Sequence, residues 1–255
     1  MLLAVDIGNT DTVIGVFKGE HLKDSFRTSS HHRLTADEAG FFITGLVERM
    51  HVANEQIQEV IVASVVPPIT PVYEEAARKY FGCIPMVVSD QIKLPVEIKI
   101  DHPSELGADR IANASAAYSK FGGPAIVVDF GTAVNFDIVD NHGAYIGGVL
   151  VPGPQTSLAE LARKAARLFE VRIEKPDSVV GKSTAGALKS GLFYGTLGQI
   201  DYLIDLILVE TGFEHPRIIA TGGMASSFAN SSRHIGQLES NLTLEGLRVI
   251  AELNK

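Results

Sequence analysis

The chain has little of several residue types on which common protein classes depend. Its 255 residues include one cysteine and no tryptophan, and aromatic residues make up 7%. A single cysteine, Cys83, excludes an intramolecular disulfide framework, and its simplest interpretation is a small buried apolar side chain. The few aromatic rings leave little material for stacking bases. A net charge of −8 without a cluster of lysine and arginine argues against binding to a nucleic-acid backbone.

Export and membrane signals are also missing from the sequence. The N-terminus enters a strand-like apolar run at once, without the basic and long apolar regions of a secretory signal. No stretch approaches the roughly 20 apolar residues that cross a bilayer. We therefore expect a cytoplasmic protein. The 45% content of hydrophobic residues is enough for a substantial core, in one large domain or two of ordinary size.

Two short segments, about half the chain apart, carry the same pattern. Residues 6–10 read Asp-Ile-Gly-Asn-Thr and residues 129–133 read Asp-Phe-Gly-Thr-Ala, and each follows an apolar run. A glycine lets a phosphate approach the backbone N–H groups of a tight turn, and a neighbouring carboxylate can hold a cation that bridges phosphate oxygens. One such turn is common in hairpins. Two of them predict a duplicated domain that binds a nucleotide between its halves.

The hydrophobic patterns around these turns predict an α/β architecture with mixed sheets and two lobes. The order βββ-α-β-α-β occurs twice, and we place the boundary near residue 120, giving lobes 1–120 and 121–255. In the first helix, Thr35 followed by Glu38 predicts a capping box. The predicted strands cover residues 2–6, 12–17, 59–66, 86–89, 125–128, 135–139, 143–151 and 217–220. The predicted helices cover residues 35–50, 71–81, 105–121, 155–166, 185–209 and 242–253.

A third motif, Ala-Thr-Gly-Gly at residues 220–223, completes a set that resembles the two phosphate motifs and the adenosine motif of the actin-like ATPase superfamily, which includes hexokinase. Leu-Gly-Ala-Asp-Arg at 106–110 narrows the resemblance, together with Gly-Gly-Val-Leu-Val-Pro-Gly at 147–153 and Gly-Lys-Ser-Thr at 181–184. With these motifs in this order, the chain resembles type III pantothenate kinase over nearly its full length. The resemblance implies duplicated ribonuclease H-like domains with an ATP cleft between the lobes.

The resemblance also implies an activity and a set of site residues. The activity is the ATP-dependent phosphorylation of pantothenate to 4′-phosphopantothenate, the first step of coenzyme A biosynthesis. Asp109 would be the catalytic base, Asp6 would hold Mg²⁺ directly or through water, and Asp129 would hold a monovalent cation such as K⁺ or NH₄⁺. The implied pantothenate-binding residues are Gly107, Ala108, Asp109, Arg110 and Thr184. The implied ATP-binding residues are Asp6, Ile7, Gly8, Asn9, Thr10, Asp11, Thr12, Val13, Thr132, Gly222 and Gly223.

Two further consequences of the resemblance concern the assembly and the departures from the family pattern. Thr184 would contribute a hydroxyl to the pantothenate pocket of a neighbouring subunit, which implies a homodimer with an interface in the second lobe. Val134 and Asn135 stand where the family commonly has two threonines, and we expect only indirect consequences there. Ile100 stands where relatives often carry a tyrosine that touches the substrate. Either the wall of the substrate pocket is more apolar here, or His102 replaces the tyrosine in contacting the substrate.

Several residues also have plainer interpretations. Asp109 alone could simply stabilise the start of a helix through the helix dipole, and Arg110 could be a surface arginine or a forked partner for a carboxylate. The segment at 181–183 imitates the end of a Walker A loop, but Pro176 stands where the first glycine is required. His31-His32 has no third ligand at metal spacing and favours a solvated loop.

The sequence leaves three other functions open. A different small-molecule kinase of the superfamily would share every phosphate motif. A nucleotide-binding regulator without turnover would share the fold, although three retained aspartates argue against it. A phosphatase would transfer the phosphoryl group to water and would have little use for Arg110 as the partner of a carboxylate.

Overall fold

The computed structural model describes residues 1–31, 33–164 and 171–255. The chain divides into two compact units. The first unit comprises residues 1–120 and 242–255, and the second comprises residues 121–241. Each unit has its own sheet and its own apolar core.

The first unit contains a five-stranded mixed sheet. Its central strand β1 is antiparallel to β2 and parallel to β4, and the strand order is β3-β2-β1-β4-β5. A parallel pair at the centre explains why β1 reads as a continuous apolar run, because both of its faces are covered. The strands are β1 (Leu2–Ile7), β2 (Asp11–Lys18), β3 (His21–Ser29), β4 (Glu59–Ser64) and β5 (Met86–Val87), with a separate two-residue strand β6 (Glu97–Ile98).

Three helices follow in the same unit: α1 (Ala36–Arg49), α2 (Thr70–Phe81) and α3 (Ala108–Phe121). The predicted capping box of α1 is confirmed. Thr35 Oγ1 accepts from Glu38 N at 3.2 Å, and Glu38 Oε2 accepts from Thr35 N at 2.9 Å. The prediction that α3 begins at residue 105 is wrong, because Pro103–Glu105 forms a separate 3-10 turn and Leu106 is extended.

The second unit repeats the strand order of the first. Its hairpin strands β7 and β8 are antiparallel, and β10 lies parallel to β7. Within this unit the strands are ordered β11-β10-β7-β8-β9. The elements are β7 (Ala125–Phe130), β8 (Ala133–Val139), β9 (Ala144–Pro152), α4 (Pro154–Lys164), α5 (Thr184–Thr211), β10 (Arg217–Thr221), α6 (Ala225–Phe228) and β11 (Gln237–Leu238). The end of the predicted helix 155–166 lies outside the described residues.

An aromatic stack fills the core of the second unit. The ring of Phe228 lies 5.3 Å from that of Phe130 and 5.1 Å from that of Phe193, centroid to centroid, and both pairs are nearly parallel. All three rings are fully buried. This stack joins the sheet, α5 and α6, and it fixes the end of β7 where the second glycine turn begins.

By length and composition, α5 is apolar enough to cross a membrane, which the sequence analysis did not anticipate. One side of α5 packs into the core of the second unit. Phe193, Ile200 and Ile204 are fully buried in the second unit. Asp201, in the middle of the helix, is also buried, and its carboxylate accepts from Ser232 Oγ at 2.6 Å and from Arg233 Nε at 3.2 Å.

The last helix, α7 (Leu242–Leu253), packs against β1, β2 and β4 of the first unit. Gly246 lets α7 also approach α3 closely, because a methyl group built there would lie 1.9 Å from Ala112 O in α3. The sequence-based division placed residues 242–255 in the second lobe. The packing instead assigns them to the first unit, since the apolar face of α7 is buried on the first sheet.

Candidate active site

The turn between β1 and β2 is tight and closed by its own backbone. Gly8 N donates to Asp11 O at 2.9 Å, and a methyl group built at Gly8 would lie 2.9 Å from the same oxygen. Only glycine therefore fits without a shift. Asn9 and Thr10 at the tip of the turn are exposed, so their side chains and N–H groups are accessible to a ligand.

Ser30, just after β3, holds this turn from one side. Its N–H donates to Thr10 O at 2.8 Å, and its hydroxyl donates to Gly8 O at 2.6 Å. The Ser30 hydroxyl also lies 2.9 Å from Thr12 Oγ1. A serine hydroxyl has one hydrogen, so Thr12 donates in that pair. Thr12 is fully buried near the hydroxyl of Tyr73, whose pKa burial raises.

The sequence analysis missed Ser30. The available signal was a hydroxyl residue directly after the third strand, but its relevance depends on the pairing of β2 with β3. That pairing sets Asp11 opposite Ser29.

Asp6 lies at the carboxyl end of β1, between Val13 of β2 and Ala63 of β4. Its side chain is half-buried, whereas the next residue, Ile7, is fully buried in the core. Asp11, also predicted to bind ATP, pairs with Arg27 at 3.0 Å in an ion pair that is largely exposed. The carboxylate of Asp6, and not that of Asp11, thus stands at the end of the central strand.

Asp109 lies in the first turn of α3. Its Oδ1 accepts from Arg110 N at 2.8 Å. Burial raises the pKa of the Asp109 carboxyl, and this effect outweighs the lowering by the Arg110 N–H and the Arg110 charge. A carboxylate with a raised pKa is a stronger base than an ordinary aspartate.

Gly107 places Asp109 at the same edge of the sheet as the first turn. A methyl group built at Gly107 would lie 2.5 Å from Asp109 Oδ1 and 3.3 Å from Val65 Cγ1. Val65 in turn donates its N–H to Ile7 O at 3.0 Å. The structure therefore brings Asp6, the 8–10 turn, Gly107 and Asp109 together at the carboxyl ends of β1 and β4.

The turn between β7 and β8 in the second unit also begins with a glycine, but it is one residue shorter than the first turn. Gly131 N donates to Ala133 O at 3.0 Å, and Thr132 at the tip is exposed. Thr132 O accepts from Gly153 N at 3.0 Å and from Thr156 Oγ1 at 2.6 Å. As in the first unit, residues just after the third strand hold the turn.

Asp129 and Gly222 lie against each other at the carboxyl ends of β7 and β10. The ladder sets Thr221 opposite Asp129. Gly222 has a φ of +91°, and a methyl group built there would lie 2.4 Å from Asp129 Oδ1 and 2.7 Å from Phe130 N and O. No side chain fits between this carboxylate and the turn that follows β10. The next residue, Gly223, has open space at its missing side chain.

The remaining predicted residues are placed as follows. Thr184 is the exposed first residue of α5, and Ser183 caps this helix by accepting from Gly186 N at 3.1 Å. Val134 is fully buried, whereas Asn135 and Ile100 are half-buried and His102 is exposed. His31 is exposed and His32 lies outside the described residues.

Within residues 1–31, 33–164 and 171–255, no group of three or more histidine, cysteine or acidic side chains could hold a metal ion. Any cation at Asp6 or Asp129 would therefore take other ligands from backbone, amide, phosphate or water oxygens.

The model of one protein family, type III pantothenate kinase, matches residues 2–206. The chain belongs to the type III pantothenate kinase family. One relative, a type III pantothenate kinase of Geobacter sulfurreducens, is 42% identical over 255 residues, covering 100% of both chains. Another, from Agathobacter rectalis, is 39% identical over 250 residues, covering 98% of this chain and 96% of the relative. The family predicted from the order of the motifs is confirmed.

Solved structures support the fold of this kinase. A protein from Campylobacter jejuni described as a Baf family transcriptional activator has a TM-score of 0.61 at 21% identity, covering 99% of this chain and 98% of that one. The ethanolamine utilization protein EutJ from Carboxydothermus hydrogenoformans has a TM-score of 0.59 at 12% identity, covering 97% and 89%. Such identities show the fold alone, and the predicted duplicated ribonuclease H-like architecture is confirmed.

Membership of the family establishes the reaction. The enzyme transfers a phosphoryl group from ATP to pantothenate, which gives 4′-phosphopantothenate and begins coenzyme A biosynthesis.

Proposed function

We propose that Asp109 is the general base of this reaction. The acceptor is a primary alcohol, which is a poor nucleophile until its proton is removed as the oxygen bonds to the γ-phosphorus. The observation that carries the proposal is the position of Asp109. Its half-buried carboxylate, with a raised pKa, lies against Gly107, which adjoins Val65 at the strand edge that also carries Asp6 and the first glycine turn.

The first unit would contribute one set of phosphate contacts. Asn9, Thr10 and the accessible N–H groups of their turn donate to phosphate oxygens, while Ile7, Asp11, Thr12 and Val13 form the strand ends around them. Asp6 holds Mg²⁺ directly or through water. Its half-exposed carboxylate suits this role because Mg²⁺ keeps several waters and takes few protein ligands.

The second unit would contribute Thr132 to the phosphates and Gly222 and Gly223 to the adenosine. A monovalent cation, K⁺ or NH₄⁺, is assigned to Asp129. The fit rests on the contact of this carboxylate with Gly222, where a methyl group would meet Asp129 Oδ1 at 2.4 Å and Phe130 O at 2.7 Å. Hard oxygen atoms gathered around a glycine suit an alkali cation. When bound, the cation would offset the negative charge of the triphosphate.

Arg110 would pair with the pantothenate carboxylate in a forked geometry, next to the backbone of Gly107 and Ala108. Thr184 would add its exposed hydroxyl to the pantothenate pocket of a partner subunit. The side chains at Ile100 and His102 are the remaining candidates for the wall that faces the substrate.

A homodimer is supported by the exposed side of α5. Tyr202, Leu206 and Val209 are 62%, 45% and 83% exposed, and their spacing places them along one stripe of the helix. Gly191, Gly195 and Gly198 continue this stripe toward Thr184, with open space at each missing side chain. Contiguous exposed apolar surface of this kind marks a contact surface. A cytoplasmic location fits the reaction and completes the proposal.

The substitution Asp109→Asn tests the base. It keeps the size of the side chain and removes its proton affinity, so we expect turnover to fall by about 10²- to 10⁴-fold while ATP still binds. The exposed Asp24→Asn on β3 is the matched control and should retain full turnover. Turnover of Asp109→Asn within a few-fold of the parent enzyme would remove Asp109 from this role.

A further inference from the structure

Asn135 carries a buried amide oxygen that the hydrogen bonds of the described residues do not satisfy. Its Oδ1 is buried, and no donor among residues 1–31, 33–164 and 171–255 reaches it. A buried carbonyl oxygen without a donor or an ion is destabilising. Native structures therefore nearly always provide a partner for such an atom, either from the protein, from water or from an ion.

Asn135 lies directly opposite Asp129 in the antiparallel ladder of β7 and β8. Residues opposite each other in such a ladder project from the same face of the sheet, with Cβ atoms about 4.5–5.5 Å apart. Their chain neighbours point the other way, into the core of the second unit: Val128, Phe130, Val134 and Phe136. Asp129 and Asn135 thus share the face that is turned away from this core.

The side chains of Asp129 and Asn135 together favour a cation as the partner of the amide oxygen. The Asp129 carboxylate and Asn135 Oδ1 are both hydrogen-bond acceptors, so the carboxylate cannot satisfy the amide oxygen, whatever the amide N–H groups bond to. A cation bound by both oxygens would satisfy the amide oxygen. Carboxylate and carbonyl oxygens are the ligands that alkali and alkaline-earth cations prefer in proteins.

We infer that Asn135 Oδ1 is a second protein ligand of the monovalent cation at Asp129. This inference rests on the proposed assignment of that cation to Asp129. It also gives a direct role to one of the two positions where the chain departs from the family pattern, where the sequence analysis expected only an indirect effect. The departure replaces a hydroxyl with an amide oxygen on a longer side chain.

Cation binding can be measured without turnover. The melting temperature of the full chain is followed while K⁺ is titrated in the presence of Mg²⁺ and a non-hydrolysable ATP analogue, with choline chloride keeping the ionic strength constant. Asn135→Val and Asn135→Thr form a matched pair, because they share a shape and differ only in a methyl or a hydroxyl group. We expect Asn135→Val to raise the half-saturating K⁺ concentration about tenfold or more, and Asn135→Thr to raise it less.

Asp129→Asn separates this inference from the assignment on which it rests. If Asp129→Asn abolishes the K⁺ response and Asn135→Val leaves the half-saturating concentration unchanged, Asn135 is not a ligand and the Asp129 assignment stands. If Asp129→Asn also keeps the parent response, the assignment itself is wrong.

A purely structural role for Asn135 would change the melting temperature in a different way. If a water satisfies the amide oxygen, Asn135→Val would shift the melting temperature equally at every K⁺ concentration, and this result would overturn the inference. Should the valine variant not fold, Asn135→Ala and Asn135→Thr carry the same test. Equal K⁺ responses in these two variants and the parent would count against a ligand at this position.

Discussion

The two glycine turns differ by one residue in length, and they are held in different ways. In the first unit, the side chain of Ser30 bonds to Gly8 O and Thr12 Oγ1. In the second unit, the backbone of Gly153 and the side chain of Thr156 both bond to Thr132 O. Ser30 N also donates to Thr10 O, so the first turn is held both at its glycine and at its tip, whereas these two bonds of the second turn meet at the carbonyl of its tip.

The two aspartates that precede these turns also differ in their surroundings. Gly222, with its positive φ, lies directly against Asp129. The corresponding ladder position beside Asp6 is Ala63 of β4, followed by Ser64 and Val65. Duplication therefore preserved a glycine turn preceded by an aspartate, while the residues around each aspartate carboxylate diverged. This divergence fits different cations at the two positions.

Asp109 belongs to the first unit, and the titration of its carboxyl should have the largest effect, on both the reaction rate and the stability of the protein. Because burial raises its pKa, the rate should fall about tenfold for each pH unit below that pKa. The folded state also binds this proton more tightly than the unfolded chain does. The free energy of unfolding should therefore fall as the pH rises from the ordinary aspartate pKa through the raised one.

Unfolding by guanidinium across this pH range measures the second effect, with Asp109→Asn as the comparison. The asparagine variant lacks the titrating group, so its stability relative to the parent should increase with pH. A constant difference between the two proteins would show that the carboxyl has an ordinary pKa.

The substitution Gly222→Ala should strongly destabilise the second unit. Alanine at a φ of +91° is strained, and its methyl group would overlap Asp129 and Phe130. We expect a loss of about 2–4 kcal/mol in the free energy of unfolding. Gly236→Ala is the control, since it has neither a positive φ nor a neighbour within 4 Å. Equal stabilities of the two variants would contradict the described contact.

Gly8→Ala and Gly131→Ala compare the turns directly. A methyl group at Gly8 would lie 2.9 Å from Asp11 O, whereas at Gly131 its nearest neighbour would be Ala133 O at 3.5 Å. We expect a cost of about 1–2 kcal/mol for Gly8→Ala and less than about 0.5 kcal/mol for Gly131→Ala, measured by denaturant unfolding. The reverse order would show that the second turn is the tighter one.

The smallest difference should come from the hydroxyls that hold the turns. Ser30→Ala removes two hydrogen bonds and leaves Gly8 O without its donor, at a cost of about 1–2 kcal/mol. Thr156→Ala removes one hydrogen bond at an exposed site, at about 0.5–1 kcal/mol. Because Ser30 holds the first turn, its variant should also bind ATP more weakly. Calorimetric titration with ATP that finds no change in Ser30→Ala would limit this residue to a structural role.

The sequence was enough to predict the fold class and both turns, because each turn combines an apolar strand with a glycine at a fixed spacing. It could not predict contacts that depend on strand register. The contact of Gly222 with Asp129 requires β10 to lie beside β7, and the bonds of Ser30 require β3 to lie beside β2. The sequence could not predict the packing of α7 either, since an amphipathic helix fits any apolar surface of suitable shape.

The return of α7 to the first sheet has a consequence for biosynthesis on the ribosome. The second unit is continuous in sequence and lies entirely before residue 242, so all of its residues emerge before α7 does. The core of the first unit is completed later, because the helix that covers β1 and β4 is made after the whole of the second unit. The half that is translated first is thus the half whose core is completed last.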